Sequence, residues 1–278
     1  MTSMSDRFKN LQQLFVPILV VVAIGLAFFS GSLWQQVENY KKGGTQTTAT
    51  TTAAAPSPTV SLDTIKALWG KNLIKFGDAN KKLLFVEVAD PSCPYCHVAG
   101  GDDPQVGASM GTQFKYVSDG GAYQPPVAEM KKLVDSGQAS FTYIFYPGHG
   151  NGEMGAKALY CAFDQGKFWE AHGLIMSEKG YEIQNGYDST GATTKGPIVQ
   201  NDKTKSALMA DFLKGVVDPT QLKSCLDSGK YDSRLTDEQN LATTLGITGT
   251  PGFFVNSTPF AGAYSWTDMK TTVDAALK

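Results

Sequence analysis

The sequence predicts an α/β fold: a mixed sheet flanked by helices and interrupted by an all-helical insertion. Three observations carry that expectation. Leu83 to Ala89 (LLFVEVA) is a near-continuous apolar run of strand length, the pattern of a strand buried on both faces. Strand-like segments lie on both sides of residues 147–249, and within those residues only helical patterning is found. Asp90-Pro91-Ser92 then breaks the buried strand, and Cys93-Pro94-Tyr95-Cys96-His97 opens a helix directly after it.

Taken in order, Ser61-Leu62-Asp63 caps a short helix and Leu73 to Phe76 forms a short edge strand ahead of the buried one. Residues 100–126, rich in Gly, Asp and Pro, read as an irregular insertion before a helix over Val127 to Val134. A second long strand covers Phe141 to Tyr146. Helices follow at Met154 to Phe163, Phe168 to Met176, Lys205 to Leu213, Pro219 to Leu226 and Asp237 to Leu245. Thr250-Pro251-Gly252 introduces the strand Phe253 to Val255. After a turn from Asn256 come a last strand near Phe260 and a closing helix from Trp266.

The first 60 residues are of another kind. No charge occurs from Asn10 to Val37, and Leu14 to Phe29 is apolar apart from Pro17 and Gly25. Residues 11–34 therefore read as a transmembrane signal anchor following a cytoplasmic stretch 1–10, since about 20 apolar residues span a bilayer. A cleaved signal peptide is the alternative, but Phe28 and Phe29 crowd the small-residue positions that cleavage needs. Residues 35–60 end in GGTQTTATTTAAAPSPTV, a solvated linker with nothing to bury. The globular domain is 61–278.

Charge excludes one class of partner. The chain has 24 Lys+Arg against 26 Asp+Glu, and the first 60 residues carry four basic and two acidic side chains, leaving 20 basic against 24 acidic beyond them. No basic excess exists to neutralise phosphates, so nucleic acid is not expected as a partner.

The four cysteines, at 93, 96, 161 and 225, are too few for a disulfide-stapled small fold, so each needs its own explanation. Cys93 and Cys96 are three apart at a helix start, on one face and within disulfide reach. Unpaired backbone donors there stabilise an anion, which makes Cys93 the expected exposed nucleophile and Cys96 the shielded resolving thiol. Pro94 suits a first turn that has a donor to spare. Three other readings stay open: c-type haem attachment through Cys93-x-x-Cys96-His97, half of a zinc site, and a plain structural staple.

The segment LFVEVADPSCPYC, with GITGTPGFFVN far downstream, resembles the thioredoxin superfamily. The helical block between them, including KALYCAFDQGKFWEAH at 157–172, is similar to the DsbA-like branch of thiol:disulfide oxidoreductases, among them membrane-anchored or secreted bacterial proteins. The resemblance spans roughly residues 72–278. It implies a thioredoxin-like mixed sheet with a helical insertion, a redox-active Cys93–Cys96 disulfide, no cofactor or metal, and a cis peptide bond at Thr250-Pro251. It also implies an acidic group, Glu87, beneath the redox pair. Burial disfavours a charged carboxylate, so such a group can accept and return the Cys96 proton; a structurally paired Glu is the alternative. A cis Pro251 would expose backbone groups for an extended substrate, where an ordinary trans turn would not.

One residue departs from the family pattern. Strongly oxidising relatives carry histidine where this chain has Tyr95, which cannot supply a positive charge, so a weaker oxidant is expected unless His97 is near enough to donate. In the relatives that the helical block resembles, cysteines placed like Cys161 and Cys225 are bridged; two buried free thiols are the alternative. His149 and His172 read as loop and packing residues.

The functional expectation is a membrane-tethered, extracytoplasmic oxidoreductase that donates the Cys93–Cys96 disulfide to cysteine-containing exported proteins. The resemblance implies reoxidation by a quinone-linked membrane partner. A reductase or isomerase of the same fold, or a binding module whose pair is only structural, are the alternatives.

Overall fold

The computed structural model describes residues 60–278. The expected anchor at 11–34 and most of the linker at 35–60 lie outside the described residues. Among the described residues no helix is long and apolar enough to cross a membrane.

Five strands form one mixed sheet: β1 (Ile74–Phe76), β2 (Leu83–Ala89), β3 (Ala139–Phe145), β4 (Gly252–Val255) and β5 (Thr258–Ala261), in the order β1-β3-β2-β4-β5. β2 and β3 run parallel and the other pairs antiparallel. All seven residues of β2 are buried, because helices cover both faces of the sheet. The period of two sends Leu84, Val86 and Val88 to one face, packed with Ile65, Leu68, Ala242 and Leu245. Leu83, Phe85 and Ala89 face the larger core, which also holds Cys93, Cys96, Tyr143 and Phe253. Glu87 belongs to that second set, so a carboxylate projects into the apolar side that carries the thiols.

Eleven α-helices are described: α1 (Leu62–Ala67), α2 (Pro94–Gly100), α3 (Pro104–Ser109), α4 (Pro126–Asp135), α5 (Glu153–Asp164), α6 (Phe168–Ile175), α7 (Glu178–Asn185), α8 (Ser206–Phe212), α9 (Pro219–Asp227), α10 (Asp232–Thr244) and α11 (Trp266–Leu277). Local sequence explains their ends. Ser61, Ser177 and Asp218 cap α1, α7 and α9 through their side chains, and Ser265 with Asp268 forms a capping box on α11.

Three sequence expectations change here. Residues 100–126 are not irregular throughout: Asp103 caps α3, two 3₁₀ turns follow, and Val106, Tyr116 and Tyr123 form a small core with Val98 and Tyr181. The insertion is thus fastened to α2 and α7, and the Tyr116 hydroxyl donates to the Val98 and Asp103 carbonyls, both at 3.1 Å. The helix α7 lacks a clear apolar stripe in EKGYEIQN, yet it forms because Ser177 caps it and Gln184 and Asn185 find buried partners. α10 starts at Asp232, five residues before the expected Asp237, because the buried Arg234 and Leu235 belong to it.

Cys161 on α5 and Cys225 on α9 are joined by a disulfide, with Cα atoms 6.0 Å apart across 64 residues of chain. The bridge ties two helices of the insertion together.

Candidate active site

Because β2 and β3 are parallel neighbours, the loops after them leave the same edge of the sheet. β4 runs antiparallel to β2, with Val88 opposite Gly252, so the Thr250-Pro251 loop that precedes β4 reaches that edge too. The sequences after β2, after β3 and before β4 meet at Cys93.

Cys93 is the N-cap of α2 and Pro94 its first residue. Both Cys93 and Cys96 are unbonded thiols, and both are fully buried. This corrects the expectation of an exposed Cys93: the Thr250 carbonyl, 3.4 Å from its sulfur, and the His149 loop close over it. The peptide bond between Thr250 and Pro251 is cis. Tyr95 stays 41% exposed and sets its ring edge-on against Phe114 of the insertion at 5.6 Å.

The two thiols are electrostatically unequal. The hydrogen bond from Cys96 lowers the Cys93 pKa most; burial opposes it, and the His149 and Thr250 side chains assist, for a net fall to about 5. Burial pushes the Cys96 thiol well above its ordinary value, and the neighbouring Cys93 adds to this. The Asp90 amide donates to the Cys96 sulfur at 3.4 Å. Bonding to Cys93 in turn raises the pKa of His149, against the effect of partial burial.

His97 does not serve the sulfur. Its Nε2 lies 2.8 Å from the Pro91 carbonyl and its Nδ1 3.3 Å from Asp103, both in buried surroundings, so the ring fastens the strand-helix junction to the insertion. The imidazole that bears on Cys93 is instead that of His149, on the loop after β3. Asp90 sets that loop: one carboxylate oxygen accepts the His149 amide at 2.7 Å and the Gly150 amide at 3.3 Å, while the other accepts the Ser92 amide and hydroxyl. Gly148 and Gly152 make the approach feasible. A Cβ at Gly148 would lie 2.1 Å from the Thr250 hydroxyl, and one at Gly152 would lie 1.9 Å from Asp90.

Glu87 is fully buried with neither carboxylate oxygen hydrogen-bonded, and His172 Nε2 stands 3.6 Å from it. His172 also packs against Tyr143 and Phe168, as expected of a packing residue. In the sequence Asp90 reads as part of a strand break and His149 and His172 as loop and packing residues, so none of the three is expected at the site. The available signal was the Gly148-His149-Gly150 turn at the end of a strand parallel to the one that leads into Cys93.

The thioredoxin family model matches residues 126–275, more than half of the chain. The chain belongs to the thioredoxin family. In this thioredoxin-family protein the matched stretch holds the Thr250-Pro251 loop and both bridged cysteines, and starts after the Cys93–Cys96 pair. Its fold is similar to that of oxidised BdbD from Bacillus subtilis, at 20% identity over 74% of this chain and 92% of that one, with a TM-score of 0.51. DsbA from Chlamydia trachomatis is similar at 17% identity over 74% and 91%, and α-DsbA1 from Wolbachia pipientis at 17% over 74% and 91%, each with a TM-score of 0.51. The thioredoxin-like fold with a helical insertion is therefore of the DsbA-like kind. A curated relative, the Na(+)/H(+) antiporter NhaA 3 of Salinispora tropica, is 22% identical over 205 residues, which are 72% of this chain. The chain spans about a quarter (24%) of that protein's length.

Proposed function

We propose that this protein is a thiol:disulfide oxidoreductase that gives a Cys93–Cys96 disulfide to cysteine-containing proteins outside the cytoplasm. The observation that carries the reading is the asymmetry of the pair: Cys93 is favoured as a thiolate by Cys96, His149 and Thr250, while Cys96 is held as a thiol.

A substrate thiolate attacks the Cys93 sulfur of the disulfide, and Cys96 leaves and takes up a proton. A second substrate thiolate then attacks the substrate sulfur of the mixed disulfide, and Cys93 departs as a thiolate. The substrate loses two electrons and the pair gains them. A leaving thiol of low pKa speeds the second step, and a stabilised Cys93 thiolate makes the disulfide the stronger oxidant. His149 offsets the absence of histidine at Tyr95. Thr250 and Pro251, beside the sulfur, would pair with an extended substrate segment.

Extracytoplasmic placement is supported by the Cys161–Cys225 bridge, since such bonds persist in oxidising compartments. The apolar residues 11–34 would tether the domain, and a quinone-linked membrane partner would reoxidise the pair. Replacing Cys96 with Ala in the full chain should trap substrates on Cys93 as mixed disulfides that reductant releases. Recovery of none would overturn the reading, and a wild-type pair found mostly reduced in cells would reverse the direction.

A further inference from the structure

Cys96 needs a proton at each turnover, and no solvent reaches it. Glu87, on the same side of the sheet, is equally sealed, so its own proton must come from elsewhere. Tyr143, in register with Glu87, marks the neighbourhood: burial first, then negative charge on Tyr160, Glu87 and Cys96, pushes its ionisation up.

His172 stands against this pocket. Its Nε2 and both Glu87 oxygens are buried without hydrogen-bond partners, and the two side chains stand 3.6 Å apart, a few tenths of an ångström from closing a bond. Polar atoms left open in this way are costly, and a proton passed between them relieves the cost. His172 also lines a cleft of about 690 Å³ between α4, α6 and the end of α2, at the opposite end of α2 from Cys93. Gly100 borders the ring on that side: a Cβ there would make ordinary contact with His172 Cε1 at 3.7 Å and would press on Met176 Cβ at 3.1 Å. Asp102 lies in the same cleft, its carboxylate 3.2 Å from where a Cβ on Gly173 would stand.

We propose that His172 relays protons between Glu87 and this cleft, so that Cys96 is protonated and deprotonated from the far end of α2 while the substrate occupies the Cys93 end. The inference rests on the oxidoreductase reading above. When Cys96 leaves the disulfide, the Glu87 carboxylic acid gives it a proton. Glu87 is then reprotonated through His172, which takes a proton from water in the cleft; reoxidation runs the same transfers in reverse. No electron passes through His172, which acts through Glu87 as a positioning and relay residue. The ionisable groups that face it are Glu87 from β2, Tyr143 from β3, Asp102 after α2, Lys131, Lys132 and Asp135 from α4, and Glu170 on its own helix.

The test is single-turnover reduction of the oxidised full chain by dithiothreitol between pH 5 and 9, with and without imidazole. His172→Ala should slow the step that releases Cys96 by about tenfold or more and change its pH profile. Imidazole, which replaces the deleted ring, should restore much of the rate. His172→Gln preserves size and polarity but carries no proton, and should stay slow. A His172→Gln chain with the wild-type rate and profile overturns the relay, as does a slow His172→Ala chain that imidazole leaves slow. A wild-type chain that exchanges no disulfide overturns the oxidoreductase reading and the relay with it, whereas the first two results leave that reading standing.

Discussion

The fully buried Asp90 accepts the backbone amide of His149 at 2.7 Å, and through that contact the residue that follows β2 sets the imidazole that faces Cys93. Two loops far apart in sequence are joined into one site by a carboxylate whose oxygens accept four hydrogen bonds.

Removing either member should leave Cys93 a weaker acid. For His149→Ala, Cys93 loses a hydrogen bond and a nearby positive charge, so its titration midpoint rises. A rise of about one pH unit lowers the thiolate fraction at pH 5 roughly fivefold. Asp90→Ala should move the midpoint the same way, because the loop is released, and should also cost about 1–3 kcal/mol by stranding the buried Ser92 amide and hydroxyl. Ultraviolet thiolate absorbance and urea denaturation separate the two effects: a destabilised Asp90→Ala chain with an unmoved midpoint would show that Asp90 does not place His149.

Stability of the reduced chain should depend on pH in a defined window. The Cys93 pKa falls from an ordinary 9.0 to about 5 in the folded chain, so above pH 5 the unfolded chain holds a proton that the folded one has lost. The resulting stability grows as pH rises from about 5 and is lost as pH falls through it. His149 and Cys96, both raised, work in the opposite sense, above 6.5 and 9.0 respectively. Between pH 5 and 6.5 the reduced chain should therefore gain up to about 2 kcal/mol relative to the oxidised chain, whose pair does not titrate. Urea midpoints of both forms measure it, and parallel curves would contradict it.

The helical insertion should depend on its bridge. The Cys161→Ala/Cys225→Ala chain should lose about 2–4 kcal/mol, since the loop of 64 residues is long. Its exchange rate at 25 °C should stay within about twofold of wild type, as the bridge lies outside the site. A large rate loss in a chain that is still folded would mean that the bridge shapes the site.

A second buried anchor joins α10 to the sheet. Glu238 accepts the Phe145 amide at 2.6 Å and the Tyr160 hydroxyl at 2.8 Å, and pairs with Arg234 at 2.6 Å. Glu238→Leu strands a buried guanidinium and should cost about 3–5 kcal/mol, while Arg234→Met together with Glu238→Leu should cost less than the single change. A double variant no better than the single would show that the Phe145 and Tyr160 contacts dominate.

The strands, the cap at Cys93 and most helices were legible because each rests on a local pattern: an apolar run, a capping residue, a proline in a first turn. Cys93, Cys96 and the Thr250-Pro251 loop stood out through paired motifs. What stayed hidden depends on topology. His149 is ordinary in a glycine-rich turn until β3 is known to lie parallel to β2, and His172 looks like any residue of an apolar helix until Glu87 is found against it. His97 misled for the same reason, since adjacency in sequence to Cys96 turned its ring toward Pro91 and Asp103 rather than toward the sulfur.

Disulfide donation through Cys93 depends on its thiolate being stabilised in the folded, reduced chain. The direct measurement is a titration of thiolate absorbance from pH 3 to 10 on the reduced full chain, with Cys93→Ser as the reference. A transition centred near pH 5 that disappears in Cys93→Ser is the predicted result. A Cys93 transition close to 9, or one near 5 that survives the substitution, would contradict the assignment of Cys93 as the activated thiol.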